Sequence, residues 1–202
     1  MADRASEKAR RYHHGDLRAA LIEEGLKLIE QREADHLGLR EVARAVGVSA
    51  TAVYRHFPDK GALLEALAEA GLARLGRAQR AAAQAAGGGL AGFNAAGRAY
   101  VRFALENPGL FRLIFANAPG HAPSDWNGKG SNDAMQFLRE NAEQLVAARH
   151  GEAAARLFAL RSWALVHGLA LLLLDGQVQA DAAMIDAAID ARDFTFAPAG
   201  LP

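Results

Sequence analysis

The chain has 202 residues, in which 23 Lys plus Arg are balanced by 23 Asp plus Glu. A net charge of zero excludes a histone-like polycation and an acidic solvating tail, yet leaves room for a small basic face on a neutral whole. No cysteine is present, which excludes disulfide scaffolds and Cys-bearing zinc sites and fits a reducing cytoplasm, while 51% hydrophobic residues with 6 prolines exclude a disordered chain.

The first eleven residues, Met1 to Arg11, are charged and run into no apolar segment, so no secretory leader is expected. Residues 1–60 carry 11 basic and 10 acidic side chains and residues 81–202 carry 9 and 11, which points weakly to the N-terminal part as the one that meets a polyanion. Asp16 to Glu30 reads as a first helix, with Leu17, Leu21 and Leu28 on one stripe and Ile22, Leu26 and Ile29 widening it. After a break over Asp35–Gly38, Leu39 to Val46 reads as a second, two-turn helix with Leu39, Val42, Ala43 and Val46 inward. Gly47 stops it and Val48 is expected as a buried turn residue. Ser49 then caps a third helix, Ala50 to Phe57, with Val53, Tyr54 and Phe57 on one side. Pro58 ends that helix, and a long fourth one runs from Asp59 or Lys60 towards Ala85.

Gly87-Gly88-Gly89 interrupts the pattern, since three glycines forfeit helix propensity at about 1 kcal/mol each. Leu90 to Glu106 follows as a helix with Phe93, Gly97, Tyr100, Val101 and Ala104 at helical spacing. Asn107-Pro108-Gly109 reads as a turn, Leu110 to Asn117 as a short apolar helix, and Ala118 to Ser131 as a loop around Trp126. Asn132 to Arg149, Ala153 to Leu174 and Asp181 to Arg192 complete the helices, with junctions at Gly151 and Asp175-Gly176. Phe194 to Pro202 has no pattern. The apolar stretch Ala164 to Leu174 holds His167 and Gly168 and has about half the length needed to span a bilayer, so a core or interface helix is expected and no membrane partner. The fold class is all-α.

The most specific signal lies between Gly38 and Lys60: a helix, a glycine-led turn, and a second helix capped by serine. Ala43 is small where two helices cross, and Gly47 suits a positive φ. Such a pair places its second helix in the major groove of duplex DNA, with the N-terminal residues of that helix at base edges. Ala50, Thr51 and Arg55 are the exposed candidates there, and Ser49 can cap the helix while offering a phosphate contact.

Gly47-Val-Ser49, followed by Val53-Tyr-Arg-His-Phe57 and Lys60, resembles the recognition-helix signature of the tetracycline-repressor (TetR) family of bacterial transcription regulators. Tyr12-His-His-Gly-Asp-Leu-Arg18 resembles the start of one branch of that family, and Trp163-Ala-Leu-Val-His-Gly168 resembles a Trp-x-x-x-His-Gly feature of the same branch. The resemblance covers about residues 12–70 plus those few C-terminal positions. It implies an N-terminal three-helix bundle with a helix-turn-helix (residues 1–60), joined by a long helix to a helical effector-binding and dimerisation domain (61–202).

By the same resemblance, Tyr54 and His56 take the place of a phosphate-contacting pair and Lys60 that of a phosphate clamp. Ser49, Ala50 and Thr51 sit where the family touches the duplex. Arg40 stands near a backbone-contacting position where many members carry threonine, a departure that changes the chemistry of the contact. Tyr54 is either such a contact or a packing residue, and His56 either a contact or a structural hydrogen bond. Thr51 is the best base-reading candidate, its methyl suited to a thymine methyl. Arg55 reads guanine or faces phosphate or solvent. Arg10, Arg11, His13 and His14 form a basic arm or a solvated terminus.

Two recognition helices about one duplex turn apart require two copies, so a homodimer is expected through the last two long helices. Leu157, Leu160, Leu172, Met184, Ile185 and Ile189 are the candidate interface residues, with Ala164, Gly168 and Ala170 allowing close approach. The middle helices hold the aromatic mass. Phe93, Tyr100, Phe103, Phe111, Phe115, Phe137 and Trp163, with His167 as a polar group, are either plain core or the lining of a pocket for an apolar or amphipathic small-molecule effector. His167 is either a hydrogen-bonded core histidine or a ligand or pH contact.

No Gly-x-Gly-x-x-Gly, Walker loop or His-Glu-x-x-His occurs, so neither an enzyme nor a metal or other cofactor is expected. The expected function is a cytoplasmic, ligand-responsive DNA-binding regulator, a repressor released from a palindromic operator. The alternative is an architectural or constitutive DNA-binding regulator with no ligand, and it predicts a filled core instead of a lined pocket.

Overall fold

The computed structural model describes residues 17–31, 37–117 and 133–193, which are helical with no strand among them. The helices are α1 (Leu17–Gln31), α2 (Leu39–Val46), α3 (Ala50–Tyr54), α4 (Lys60–Ala85), α5 (Gly89–Glu106), α6 (Pro108–Asn117), α7 (Asp133–Ala142), α8 (Ala148–Leu174) and α9 (Ala182–Ile189). A π-helical turn, Glu143–Ala147, joins α7 to α8, and a 3-10 turn, Ala191–Asp193, follows α9. Asp16, residues 35 and 36 of the break, the loop around Trp126, the arm carrying Arg10, Arg11, His13 and His14, and the 194–202 tail lie outside the described residues.

Packing divides the chain into two compact units. Of the described residues, the first holds 17–31, 37–71 and 109–117, and the second holds 72–108 and 133–193. The packing boundary thus falls inside α4, after Gly71, and is a different line from the functional division expected at residue 60.

In the first unit, α1 buries Leu21, Leu26 and Ile29, with Leu17 and Leu28 only half-buried at the edge of the stripe. Gly25 lies between them because α4 comes close: a Cβ there would fall 2.8 Å from Leu67 Cδ2. In α2, Leu39, Val42 and Ala43 point inward and Val46 is half-buried. Gly47 ends it at φ 84°, the Gly47 N–H reaching Arg44 O at 3.2 Å and the Val48 N–H reaching Ala43 O at 2.9 Å. That paired closure needs a left-handed residue, which glycine adopts without a Cβ penalty. Val48 is half-buried, not buried as expected.

Ser49 caps α3 by accepting the Ala52 N–H at 3.2 Å. The helix stops at Tyr54, three residues short of the expected Phe57. The physical reason follows in the next residues: Pro58 disfavours the helical conformation at Phe57, and the Phe57 ring turns into the core, where it is 1% exposed. Arg18 stacks over it, 5.4 Å from the ring centroid. Burying that ring contributes roughly 1.5–3 kcal/mol. Asp59 Oδ1 accepts the Ala62 N–H at 2.8 Å and starts α4. Pro108 opens α6 as its first residue, so the expected turn at 107–109 is absorbed into the helix. Leu110 and Ile114 of α6 meet α4 at Gly71, where a Cβ would lie 2.6 Å from Leu110 Cδ1.

In the second unit α4 turns into α5 through Gly87 and Gly88, both at positive φ. The two helices close tightly: a Cβ on Gly92 would stand 2.8 Å from the Ala83 carbonyl oxygen, a backbone atom that cannot yield. Phe93 and Phe158 rings sit 5.0 Å apart among Ala142, Val146, Ala155, Ala159 and Ala191. Gly151, at φ 81° and ψ 170°, breaks the helical path at the junction expected there. Asp181 caps α9 by accepting the Met184 N–H at 2.8 Å. The end of the described chain is tied to α5: the Asn94 amide donates to Asp190 at 3.0 Å and its oxygen accepts the Ala191 N–H at 3.1 Å.

Candidate functional site

Around α3 the side chains segregate cleanly. Val53 and Phe57 are buried, while Arg40, Ser49, Thr51, Tyr54, Arg55, His56 and Lys60 are exposed and Ala50 is half-buried. Tyr54 was expected on the same side as Val53 and Phe57, and instead 47% of it is exposed. It is therefore not a core packing residue of this unit, and its hydroxyl is open to an external partner. The same early end of α3 turns Arg55 and His56 outward, because neither can follow Phe57 inward. Ser49 uses its hydroxyl as a cap, and the α3 amide ends beside it carry a partial positive charge suited to phosphate. The exposed candidates thus include three hydroxyls, an imidazole and three cations, from Arg40 of α2 to Lys60 at the start of α4.

The eight expected pocket residues are divided between the two units. Phe111 and Phe115 belong to the first unit, where their rings pair at 4.9 Å. In the second unit, Phe93 packs on Phe158, and Phe103 is buried on α5. Phe137 sits with Ala83 and Ala96 beneath the Arg80 guanidinium, 5.5 Å from its ring centroid, while Arg80 also reaches Glu140 at 3.4 Å. Tyr100, Trp163 and His167 do come together. Trp163 and His167 are one turn apart on α8 with their ring centroids 6.1 Å apart, and the buried Tyr100 hydroxyl of α5 lies 2.9 Å from His167 Nδ1. Burial raises the Tyr100 pKa far above the ordinary phenol value and pulls that of His167 below the ordinary imidazole value. Both groups are neutral at physiological pH.

Two features were not singled out from the sequence. An open cleft of about 530 Å³ lies between α5 and the α9 end of the chain, lined in part by Asn94, Arg98, Asp186, Asp190 and Arg192. Its charges are internally matched: Arg98 pairs with Asp186 at 3.6 Å, and Arg192 pairs with Asp190. The Arg192 guanidinium and backbone N–H, with the Asn94 amide, hold the Asp190 carboxyl far below the ordinary carboxylate range. The second feature is Gln79 of α4, which is 9% exposed with an Oε1 that has no hydrogen-bond partner among the described residues. A polar residue one turn from Leu75 and Ala83 on an inward face was the available signal. No group of His, Asp and Glu able to hold a metal ion occurs among the described residues.

The outer faces of α8 and α9 present Leu157, Leu160, Leu172 and Met184, between 40% and 56% exposed. Ile185 is half-buried, whereas Ile189 leaves the expected interface set: it is buried within the chain, its Cγ2 2.6 Å from where a Cβ on Gly97 would stand. A Cβ on Gly168 would meet nothing within 4 Å.

An all-helical chain with a capped helix-turn-helix in one unit and a separate helical body in the other belongs to the class of helix-turn-helix proteins. Residues 21–67 match the family model described as bacterial regulatory proteins, tetR family, and residues 93–192 match that described as tetracyclin repressor-like, C-terminal domain. A Haemophilus influenzae protein named as an uncharacterized HTH-type transcriptional regulator is 29% identical over 130 residues, covering 63% of this chain. The match spans 62% of that curated relative's own length. A solved protein of unknown function from Rhodococcus sp. RHA1 is 35% identical, with a TM-score of 0.70 over 91% of this chain and 94% of that one. A tetR-family transcriptional regulator from Streptomyces coelicolor, 22% identical, shares the fold with a TM-score of 0.58 over 91% of this chain and 78% of that one. The chain belongs to the TetR family, whose members are DNA-binding transcription regulators and not enzymes.

Proposed function

We propose that this protein binds an inverted-repeat operator as a homodimer through the 1–60 region, and that a small molecule held in the 61–202 region releases it. The observation that carries the DNA part is the exposed set Ser49, Thr51, Tyr54, Arg55, His56 and Lys60, with Arg40 of α2, on and around α3, which is anchored to the core by buried Val53 and Phe57. Thr51 reads a base edge; Tyr54, His56, Lys60 and Arg40 hold phosphates and fix the register. Affinity is then mostly electrostatic and falls steeply with salt.

Dimerisation through α8 and α9 is supported by four exposed large apolar side chains on those helices. It is supported again by Gly168. A glycine inside a helix costs about 1 kcal/mol relative to alanine, and nothing among the described residues lies within 4 Å of a Cβ placed on this one. Close approach of a second copy accounts for both. The stretch 134–174 is also long and apolar enough to cross a membrane by length and composition. Its Arg149, Arg156 and Arg161, and the break at Gly151, suit a helix–helix interface in the cytoplasm better.

A second reading, a regulator with no effector, is favoured by the way Phe93, Phe103 and Phe137 are packed. The effector reading is supported by half-exposed Trp163 and His167 and by the unpartnered Gln79 oxygen in the same unit. Selection of genomic duplex fragments by the purified protein, followed by sequencing, tests the DNA reading. Enrichment of a short inverted repeat is the expected result, and recovery of nothing above background overturns it.

A further inference from the structure

The polar groups inside the second unit are largely satisfied by one another. The Tyr100 hydroxyl and His167 Nδ1 lie 2.9 Å apart and hydrogen-bond each other. The phenol, the most obvious candidate for a ligand contact, is therefore occupied by its neighbour.

Gln79 is different. It is 9% exposed, and its Oε1 is buried without a partner among the described residues. Such an oxygen has given up its water and received nothing in exchange. Its place in the fold is defined by the α4–α5 hairpin. Ala83 lies against Gly92 and clusters with Ala96 and Phe137. Gln79 is one turn from Ala83 away from the hairpin on α4, and Tyr100 is one turn from Ala96 away from it on α5. With Ala83 against Gly92, the antiparallel register sets Gln79 level with Ala96 on α5, one turn short of the Tyr100–His167 pair.

We propose that Gln79 Oε1 is the polar recognition point for the effector, accepting a hydrogen bond from an O–H or N–H group on an otherwise apolar molecule seated beside Tyr100. This rests on the reading of the protein as ligand-responsive and adds the chemical class of the ligand. Carboxylates are disfavoured, because they bring another acceptor oxygen towards Oε1 and because the neighbouring imidazole is neutral. An alcohol, phenol, amine or amide supplies what the oxygen lacks.

The test uses the full chain and three matched probes: naphthol, methoxynaphthalene and naphthoate, titrated by calorimetry into wild type, Gln79→Met and Gln79→Glu. Wild type is expected to bind naphthol about tenfold or more tightly over the other two. Gln79→Met, close in volume and with no orphaned acceptor, is expected to melt higher without a probe and to lose the naphthol preference. Gln79→Glu keeps an acceptor and keeps the preference for naphthol over methoxynaphthalene. Equal binding of naphthol and methoxynaphthalene by wild type, or a preference that survives in Gln79→Met, overturns the Gln79 assignment while leaving the pocket reading standing. A buried water as the sole partner gives that same result. Failure of wild type to bind any of the three overturns the pocket reading and this inference with it.

Discussion

Single atoms decide most of what the two candidate sites can do. The Tyr100 hydroxyl ties α5 to His167 on α8, so Tyr100→Phe keeps the ring and removes the link. A loss of about 1–2 kcal/mol is expected in a urea titration, and an unchanged midpoint contradicts that hydrogen bond. Burial holds the His167 pKa below its ordinary value of 6.5, so the unfolded chain takes up that proton first. The stability this group contributes is complete above the unfolded value and is lost as the pH falls through the lowered folded one. His167→Gln is expected to flatten the dependence of melting temperature on pH between neutrality and mild acid, and parallel curves for variant and wild type count against it. On the DNA side, Lys60→Ala should weaken binding to all duplexes alike and reduce the salt slope by about 1. Thr51→Ala should instead relax discrimination at one base position in each half-site, by about 1–3 kcal/mol. Fluorescence anisotropy across matched and mismatched duplexes separates the two; a uniform loss in Thr51→Ala contradicts its base-reading role.

Among the elements, the turn between α2 and α3 and the outer face of α8 carry the consequences. Gly47 stands at φ 84° with open space where a Cβ would go. The cost of Gly47→Ala is therefore conformational, about 1 kcal/mol, and is read as a drop of several degrees in melting temperature. Gly168→Leu has the opposite design. The space is open within the chain, so the fold tolerates the side chain while a partner's close approach does not, and sedimentation should report monomer. Retention of a dimer places the interface elsewhere. Helix positions were legible because caps and breakers are local chemistry: Ser49, Asp181, Gly47 and Gly151 each act within a few residues of themselves. The end of α3 was not, because Phe57 is drawn off the helix by a core that includes distant Arg18. The exposed row from Arg40 to Lys60 was legible for the same local reason. The grouping of the aromatics was not, since helical spacing says that Phe93, Phe111 and Phe137 face inward without saying which cluster each one joins. Gln79 carried only a weak signal, a polar residue in register with Leu75 and Ala83, which gains meaning once its burial is known.

For the molecule as a whole, a neutral chain presents one exposed polar row in its first unit and one exposed apolar face in its second. The first suits a polyanion, and the second suits another copy of the same chain. On the proposed arrangement, two copies joined at α8 and α9 would double the phosphate contacts and impose two-fold symmetry on the site they read. A ligand acts on such a dimer only as far as it prefers the form that does not fit the DNA. The most direct measurement is native mass spectrometry of the protein on a short duplex carrying the inverted repeat recovered by selection, beside the same duplex with one half-site scrambled. A dimeric operator-binding protein predicts two copies on the intact repeat, with binding lost or much weakened on the scrambled one. A single copy bound with equal affinity to both duplexes would contradict it.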